Sequence, residues 1–568
     1  MTEQTPTTAS GARPETLTRP GSIPRRDPGA WLAAALGLGL GLLALGPGLW
    51  PGYLLSYDMV FVPSPPFNSA VLGTGGTLPR AVPSDAVMAA LARIAPADAV
   101  EKIVLLAIFV LASAGAARLL SAPEPGRIRL AARLAAGVLY AWNPFVAERL
   151  ILGQWATLFG YAGLPWVVAA ASRRGGGLAG RAARLAAALV PAAIGGFAAM
   201  AISGLAAVPV AACTPPPPEK RAGRAAIAGS RGTWVVVVIA ILGILSLPWL
   251  VPSLARYVAT SPAGVAAFAA RADTPFGTFG SLVMLGGAWN AQTVPAGYGG
   301  PVSALWLALA AGALAGFAVL GRRRWPGVAV AAAAGFVLAM LGAVGAGQDL
   351  LRALIGWWPG FAVLRDGQQF VAPLALAEAL GLGLVVDRVL RAERPRAVRE
   401  SRTTIAVALI MVPVLFLPGL AWGAAGRLRP AEYPADWIAA RQLINSDPHP
   451  GNALLLPWAA YRRFGWNHGE AMLDPWPRLH DRDVIWNDGI QVGSIQIPPE
   501  DPLAAAISGP IAAGGSLTST LRADGYRYVI VDAGFGPGPA GRNPFLARLP
   551  GCRIVLSGPG LVVYRVPG

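Results

Sequence analysis

Residues 31–59 read WLAAALGLGLGLLALGPGLWPGYLLSYDM, and this stretch decides how the rest of the chain is interpreted. Residues 31–50 carry no charged side chain and are long enough to cross the roughly 30 Å hydrocarbon core of a bilayer as a helix. The glycines in this part are spaced for close packing between helices in lipid. Shortly beyond it, Asp58 is a single acid among aromatic residues and prolines. The stretch predicts a first transmembrane helix followed by a loop with one acidic side chain near its start.

The composition extends this pattern to most of the chain. Hydrophobic residues make up 54% of the 568 residues and charged residues only 13%, and the mean hydropathy is +0.52. This is not a soluble composition. Apolar windows of about 18 to 22 residues recur across residues 31–424 and then stop. We therefore expect a polytopic α-helical membrane protein with about eleven transmembrane helices in residues 31–424.

Arginines give the expected orientation of these helices. They occur in clusters before the first span and between later spans, as is typical of segments on the cytoplasmic side. Residues 1–30 are predicted to be a disordered cytoplasmic tail, and residues 51–101 to be the first outside loop. The net charge of +17 follows from these clusters. Because aromatic and basic residues do not alternate as in base-stacking surfaces, we exclude nucleic acid as a partner.

Two segments within residues 31–424 do not have the pattern of a single spanning helix. Residues 185–213 are apolar but too long for one span and short for two, so the sequence AISGL at 201–205 is interpreted as the turn of a tight hairpin. Residues 84–102, SDAVMAALARIAPADAVEK, have mixed polarity and a Ser84 or Asp85 cap, which predicts a helix lying along the membrane surface.

The last part of the chain has a different character. Residues 427–568 contain strand-like runs, ALLLPW, YRYVIVDAG and CRIVLSGPGLVVYRV, separated by segments compatible with helix or loop. These runs predict a small soluble α/β domain. An odd number of spans places this domain outside the cytoplasm.

Several kinds of chemistry lack a motif. Neither G-x-x-x-x-G-K-[ST] nor G-x-G-x-x-G occurs between a strand and a helix, so nucleotide binding by this chain is not indicated. The histidines, His449, His468 and His480, all lie in the tail at spacings that form no zinc motif. We predict no certain cofactor. A divalent cation is left open, without a ligand motif to place it.

What remains is a set of polar residues in the three predicted outside loops, at the outer ends of spans. A charge at membrane depth is costly, so such residues usually face a cavity or each other. Wetted loop residues or orienting ion pairs are the alternative. The candidate site residues are Asp58, Arg80, Glu148, Arg149, Gln154, Arg365 and Asp366.

This arrangement resembles a known class of membrane enzymes. An acid shortly after the first span, surface helices in the first outside loop, a multipass core and an outside C-terminal domain are similar to the GT-C class of glycosyltransferases. Within that class the chain looks closest to actinobacterial arabinosyl- and mannosyltransferase-like proteins, and to membrane proteins that glycosylate lipoteichoic acid. The stretches that carry the resemblance are SYDMVFVP, WNPFVAERLILGQW and LRDGQQF.

The resemblance implies a function on the outer face of a bacterial plasma membrane. The donor would be a polyprenyl-phosphate-linked sugar, the acceptor an envelope glycan or glycolipid, and membrane lipids would surround the protein. Asp58 would be the general base of an inverting transfer. The other six candidates would bind substrate, with Arg80, Arg149 or Arg365 holding the donor phosphate. Many members of the class have an acidic pair at this position, whereas here Met59 follows Asp58.

Two other functions fit the same sequence. A non-catalytic membrane scaffold or a lipid and glycan transport component of envelope assembly would keep the fold without the reaction. A channel or secondary transporter would favour polar residues in the middle of the bilayer, whereas these cluster at the outer ends of spans.

Overall fold

The computed structural model describes residues 28–76, 78–121, 128–175, 177–215, 230–255, 260–391, 399–532 and 545–568. Most of the predicted tail, 1–30, and most of the basic loop at 214–232 lie outside the described residues. We refer to residues 28–426 as the helical part and to residues 427–568 as the C-terminal region.

The helical part is a bundle of long apolar helices. In chain order the helices are α1 (Pro28–Leu45), α2 (Ser69–Leu72), α3 (Ser84–Leu91), α4 (Ala97–Leu120), α5 (Leu130–Ala141), α6 (Pro144–Ile151), α7 (Trp155–Ala171), α8 (Leu178–Cys213), α9 (Arg231–Ala255), α10 (Gly264–Ala267), α11 (Gly277–Val283), α12 (Val302–Gly316), α13 (Pro326–Leu341), α14 (Gly345–Trp357), α15 (Ala372–Arg391) and α16 (Arg399–Phe416). Short 3₁₀ or π turns extend several of them, including Gly46–Leu49, Phe317–Gly321, Pro359–Arg365 and Gly367–Val371.

Six described helices are long and apolar enough to cross a membrane, and the count rises to eight if each of two bent pairs forms one span. A helix satisfies its own backbone hydrogen bonds, as the bilayer requires. The prediction of a polytopic α-helical membrane protein is confirmed. The number of about eleven spans stays a prediction, because α5 and α7 have only 12 and 17 residues.

Helix α15 lies at the centre of this bundle. It belongs to a candidate span of which 89% is buried inside the protein, and it packs against α5, α12 and α13. Close contact with α12 depends on Gly381, where an added Cβ would lie 1.9 Å from the carbonyl oxygen of Ala313. A larger residue there would push the two helices apart.

The structure corrects both of the uncertain assignments. The turn expected at 201–205 is displaced: Gly196, with φ 76° and ψ −149°, is not helical and divides Leu178–Cys213 into two helical segments. The expected surface helix is divided into α3 and the first turns of the spanning helix α4. Neither Ser84 nor Asp85 caps α3. Glu101 in α4 instead accepts hydrogen bonds from the Leu54 N–H, at 3.1 and 3.2 Å, and so holds the start of the first loop.

The C-terminal region is built on a five-stranded sheet. Its strands are β3 (Asn452–Leu456), β6 (Val484–Ile485), β9 (Tyr526–Asp532), β10 (Arg553–Ser557) and β11 (Leu561–Arg565), in the spatial order β10-β11-β9-β3-β6. Strand β3 is parallel to β6 and β9, whereas β11 is antiparallel to β9 and β10. Helices α17 (Ala435–Asn445), α18 (Trp476–Leu479), α19 (Pro502–Ala512) and α20 (Thr518–Ala523) accompany the sheet. The three strand-like runs of the sequence are therefore strands.

Three smaller β-structures connect this region to the rest. Strand β1 (Tyr53–Leu54) of the first loop pairs with β2 (Pro430–Ala431). Strands β4 (Tyr461–Arg463) and β5 (Ala471–Leu473) form one hairpin, and β7 (Ile490–Val492) and β8 (Ile495–Ile497) form another. The β1–β2 pair brings the first loop and the start of the C-terminal region to the same place.

Candidate active site

Asp58 lies in a tight turn of the first loop that docks on the end of α6. The Met59 N–H donates to the Ser56 carbonyl at 2.8 Å, and Tyr57 between them has a positive φ of 45°. The Asp58 N–H donates to the Leu152 carbonyl at 3.1 Å, and the Ser56 hydroxyl donates to the Ile151 carbonyl at 2.6 Å. Local backbone hydrogen bonds therefore fix the position of the acid.

The Asp58 carboxylate has one partner from each part of the protein. Its Oδ1 accepts a hydrogen bond from the Tyr461 hydroxyl of β4 at 2.5 Å, and its Oδ2 accepts one from the Gln154 side chain at 3.3 Å. Burial raises the pKa of Asp58 above its ordinary value, whereas these two hydrogen bonds and the charge of Arg478 act in the opposite direction. The result is a half-buried carboxyl group with a raised pKa.

Arg149 of α6 lies behind Gln154 and is fully enclosed by acceptors. Its two terminal nitrogens lie 2.5 and 2.8 Å from the two oxygens of Asp366, in a bidentate pair. Its Nε donates to the Gln368 side chain at 2.7 Å, and Nη1 also donates to Gln154. Gln154 thus links Asp58 to Arg149, and the three predicted outside loops meet at this point.

Glu148, the neighbour of Arg149, supports the same network from the inside. It is 1% exposed, and its carboxyl accepts a hydrogen bond from the Gln368 side-chain amide at 3.2 Å. Burial and the nearby carboxyl of Asp273 raise the pKa of Glu148 well above its ordinary value. A group that favours the neutral form orients Gln368 but does not attract a phosphate.

Arg80 and Arg365 belong to a separate cluster, formed with Glu500 of the C-terminal region. Arg80 forms an ion pair with one Glu500 oxygen, and Nη1 of Arg365 lies 3.9 Å from the other. The Arg365 guanidinium also lies over the ring of Phe268, 4.6 Å from its centroid. Among the residues that the structure describes, Nη1 of Arg365 is buried without a hydrogen-bond partner. Two positive charges therefore share one negative charge.

An apolar cavity opens beside the Asp58 turn. Its lining includes Phe61, Met88 and Trp155, together with Val60, two residues after Asp58. Arg478 of α18 and Asp85 of α3 also line it and form an ion pair at 2.8 Å. The cavity thus combines apolar walls from the first loop and surface helix with one charged pair.

The structure brings together five of the seven predicted site residues, Asp58, Glu148, Arg149, Gln154 and Asp366, and puts Arg80 and Arg365 in the second cluster. It adds Tyr461, Arg478 and Glu500, which the sequence does not single out because they lie some 400 positions along the chain from their partners. Gln368, the remaining member of the network, lies in the LRDGQQF stretch singled out from the sequence.

No cation site can be assigned to this network. Within the described ranges, no group of three or more His, Cys, Asp or Glu side chains has an arrangement that could hold a metal ion. The cysteines Cys213 and Cys552 are both free thiols.

The fold is found among solved structures. A cryo-EM structure of the arabinofuranosyltransferase AftD from mycobacteria superposes with a TM-score of 0.56 at 18% identity, over 96% of this chain and 40% of that chain. A second structure, of the same transferase with a point mutation, gives a TM-score of 0.57 at 18% identity, over 95% of this chain and 41% of that chain. No protein-family model matches the chain, and no curated protein matches it.

The comparison confirms the predicted resemblance for the fold. The chain spans about 40% of the length of the transferase, so the activity of that larger protein is not carried over by the likeness. Over nearly all of its described residues, this polytopic membrane protein has the GT-C-like fold of a mycobacterial arabinofuranosyltransferase.

Proposed function

We propose that the protein is a membrane glycosyltransferase that transfers a sugar from a polyprenyl-phosphate donor to a cell-envelope glycan or glycolipid. The observation that carries the proposal is the Asp58 carboxylate, held by Tyr461 and Gln154 two residues before Val60, which lines the apolar cavity. The likeness in fold to an arabinofuranosyltransferase supports this class of reaction. It also makes arabinofuranose the first sugar to test.

In the proposed reaction, Asp58 acts as the general base. It takes the proton of an acceptor hydroxyl while that oxygen forms a bond to the anomeric carbon of the donor sugar. The bond between this carbon and the phosphate oxygen breaks, and the polyprenyl phosphate leaves with the electron pair. The raised pKa of Asp58 favours this role, because a stronger base takes the proton more readily.

The donor phosphate is assigned to Arg80 and Arg365. In their cluster two guanidinium groups pair with the single carboxylate of Glu500, and a buried nitrogen of Arg365 lacks an acceptor among the described residues. An anion can satisfy both. Arg149 is less suited, because its nitrogens already bond Asp366, Gln154 and Gln368. We therefore assign Glu148, Arg149, Gln154 and Asp366 to positioning Asp58.

The apolar cavity would receive the first isoprene units of the donor. Its wall contains Phe61, Met88 and Trp155, which offer apolar contact area. In the proposed topology, the N-terminus is cytoplasmic, and the C-terminal region and the site lie on the outer face of the plasma membrane. The donor would enter from the bilayer and the acceptor from the C-terminal region.

Substitution of Asp58 by Asn tests the proposal. The variant keeps the shape of the side chain but removes the base, and we expect transfer to fall by about 10²–10⁴-fold. Purified full-length protein in nanodiscs would be given a short-chain polyprenyl-phosphoryl-arabinofuranose and a synthetic arabinofuranoside acceptor. In cells, the sugar composition of the envelope would be measured.

A matched control is Asp349→Asn, an exposed acid on α14 whose ion-pair partner among the described residues is Arg352. It should leave transfer and envelope composition unchanged. If Asp58→Asn inserts in the membrane and also leaves the envelope unchanged, catalysis by Asp58 is wrong and the non-catalytic scaffold becomes the better proposal.

A further inference from the structure

Tyr461 is the closest partner of the Asp58 carboxylate, although it lies 403 residues away along the chain. Its hydroxyl donates to Asp58 Oδ1 at 2.5 Å, whereas the bond from Gln154 to Oδ2 measures 3.3 Å. A short hydrogen bond from a phenol to a carboxylate is charge-assisted and stronger than a neutral one. The C-terminal region therefore supplies the strongest contact that this acid makes in the described structure.

Backbone hydrogen bonds fix the hairpin of Tyr461 to the turn of Asp58. The Tyr57 N–H donates to the Ala471 carbonyl at 2.7 Å, and the Leu473 N–H donates to the Tyr57 carbonyl at 2.8 Å. Leu473 is also the cross-strand partner of Tyr461 in the β4–β5 hairpin. The main chain of Tyr461 is thus held beside the Asp58 turn, within reach of its hydroxyl.

A buried ion cluster anchors this hairpin to the central sheet. Arg462, next to Tyr461, lies 3.4 Å from Asp474, which follows β5, and 3.4 Å from Asp532 at the end of β9. The side chains of all three are at most 5% exposed. A shift of the sheet would therefore be transmitted to Tyr461.

We infer that Tyr461 is a positioning residue for Asp58, holding its carboxylate in one orientation and in the charged form, so that the C-terminal region completes the base. The catalytic consequence rests on the proposed function, whereas the effect on Asp58 itself does not. The C-terminal region would then be part of the active site in addition to binding an acceptor.

Tyr461 shifts the pKa of Asp58 in one definite direction. Other groups act on Asp58 as well: Gln154 and Arg478 favour its charged form, Asp366 disfavours it, and Arg149 acts behind Gln154. Burial raises the pKa of Asp58, and the Tyr461 hydroxyl is the largest of the contributions that lower it. Removing this hydroxyl should raise the pKa further, because the charged form loses a donor.

The test is an infrared titration of the full-length protein in nanodiscs, which needs no substrate. The carboxyl band of Asp58 is the one that disappears in Asp58→Asn. In Tyr461→Phe we expect its midpoint to rise by roughly one pH unit. A difluorotyrosine at position 461 keeps the shape and donates more strongly, so it should lower the midpoint. The second variant tests the inference even if Tyr461→Phe does not fold.

Tyr433→Phe is the matched control. The Tyr433 hydroxyl also joins the C-terminal region to the first loop, donating to the Phe61 carbonyl at 2.8 Å, but it does not contact Asp58. The midpoint of the Asp58 carboxyl band in Tyr433→Phe should equal that of the wild type. Equal midpoints in Tyr461→Phe, the difluorotyrosine protein and Tyr433→Phe would show that the inference is wrong.

Kinetics then separate this inference from the proposed function. If Asp58 is the base, Tyr461→Phe should reduce kcat by roughly 10–100-fold and move the acid limb of the pH profile upward with the infrared midpoint. If Asp58→Asn transfers sugar normally while the midpoint still moves, the positioning role stands and the proposed function is wrong.

Discussion

The Arg149 network and the Arg80–Arg365–Glu500 cluster are both built from arginines and acids, but they differ in how completely the charges are satisfied. Arg149 is 1% exposed and finds acceptors for each of its nitrogens in Asp366, Gln154 and Gln368. Around Glu500, two guanidinium groups share one carboxylate. A saturated network, in which every charged donor has an acceptor, is rigid and is stabilised little by a ligand. An unsaturated network is stabilised most by an added anion. The difference assigns positioning to the first and binding to the second.

The largest expected effect is on the saturated network. Arg149→Ala leaves the Asp366 carboxylate without its bidentate partner, and we expect the free energy of unfolding to fall by about 3–5 kcal/mol. Thermal unfolding in nanodiscs would measure the loss. The double variant Arg149→Ala/Asp366→Asn removes both charges and should recover part of it. An unchanged unfolding temperature in the single variant would contradict the assignment of Arg149 to a rigid frame.

A smaller effect is expected for Arg365 and concerns the donor only. Arg365→Gln removes the unpartnered donor group, so KM for a polyprenyl-phosphoryl-arabinofuranose should rise by about 10–100-fold with little change in kcat. Arg352→Gln is a control, since Arg352 pairs with Asp349 on the exposed side of α14. An unchanged KM in Arg365→Gln would move the phosphate elsewhere, with Arg478 the next candidate.

A change in KM of the opposite direction is expected when Glu500 is substituted. Glu500→Gln removes the carboxylate that competes with phosphate for Arg80 and Arg365, so KM for the same donor should fall by about two- to five-fold. The dependence of KM on salt should become steeper, because an uncompensated charge attracts the donor over a longer range. A rise in KM would instead indicate that Glu500 holds the two arginines in place.

The smallest effect concerns a third cluster, in which two acids share the buried Arg462. Burial and the nearby Asp532 raise the pKa of Asp474 to about 7, although Arg462 opposes them. The folded state then holds a proton more tightly than the unfolded state. This contribution to stability is complete below the usual carboxyl pKa, decreases as the pH rises above it, and is lost as the pH passes 7. We expect the unfolding temperature to fall by about 2–4 °C between pH 5 and 8. Asp474→Asn should remove this dependence, and a wild-type protein that is more stable at pH 8 would contradict the assignment.

Much of the fold could be predicted from local sequence. Apolar length identifies helices such as α4 and α9, and the runs around residues 453–458 and 526–534 identify β3 and β9. The turn expected at 201–205 lies at Gly196 instead, because the apolar pattern does not show which glycine adopts the positive φ that interrupts the helix. The surface helix predicted over 84–102 is too long, because its second half belongs to the spanning helix α4. Its second half carries Glu101 and Lys102, which are polar in the sequence but buried against the first loop.

Only part of the candidate site can be predicted from the sequence. Asp58, Arg149 and Asp366 were found because charged residues beside apolar spans are costly and so stand out in the sequence. Their roles cannot be separated from the sequence alone. Arg149 and Arg365 have similar surroundings in the sequence, but one is saturated by Asp366 and the other shares Glu500 with Arg80.

The sequence by itself determines that the chain lies in a membrane, where its long apolar segments begin and end, and which charged residues accompany them. Hydrophobic length and charge are local properties, and the bilayer acts on each segment separately. Only the tertiary structure decides that Tyr461 reaches Asp58, that Gln154 joins Asp58 to Arg149, and that Glu500 divides its charge between two arginines. These contacts join residues from distant loops and from the C-terminal region, and the Tyr461 contact exists only once the β4–β5 hairpin has docked on the first loop.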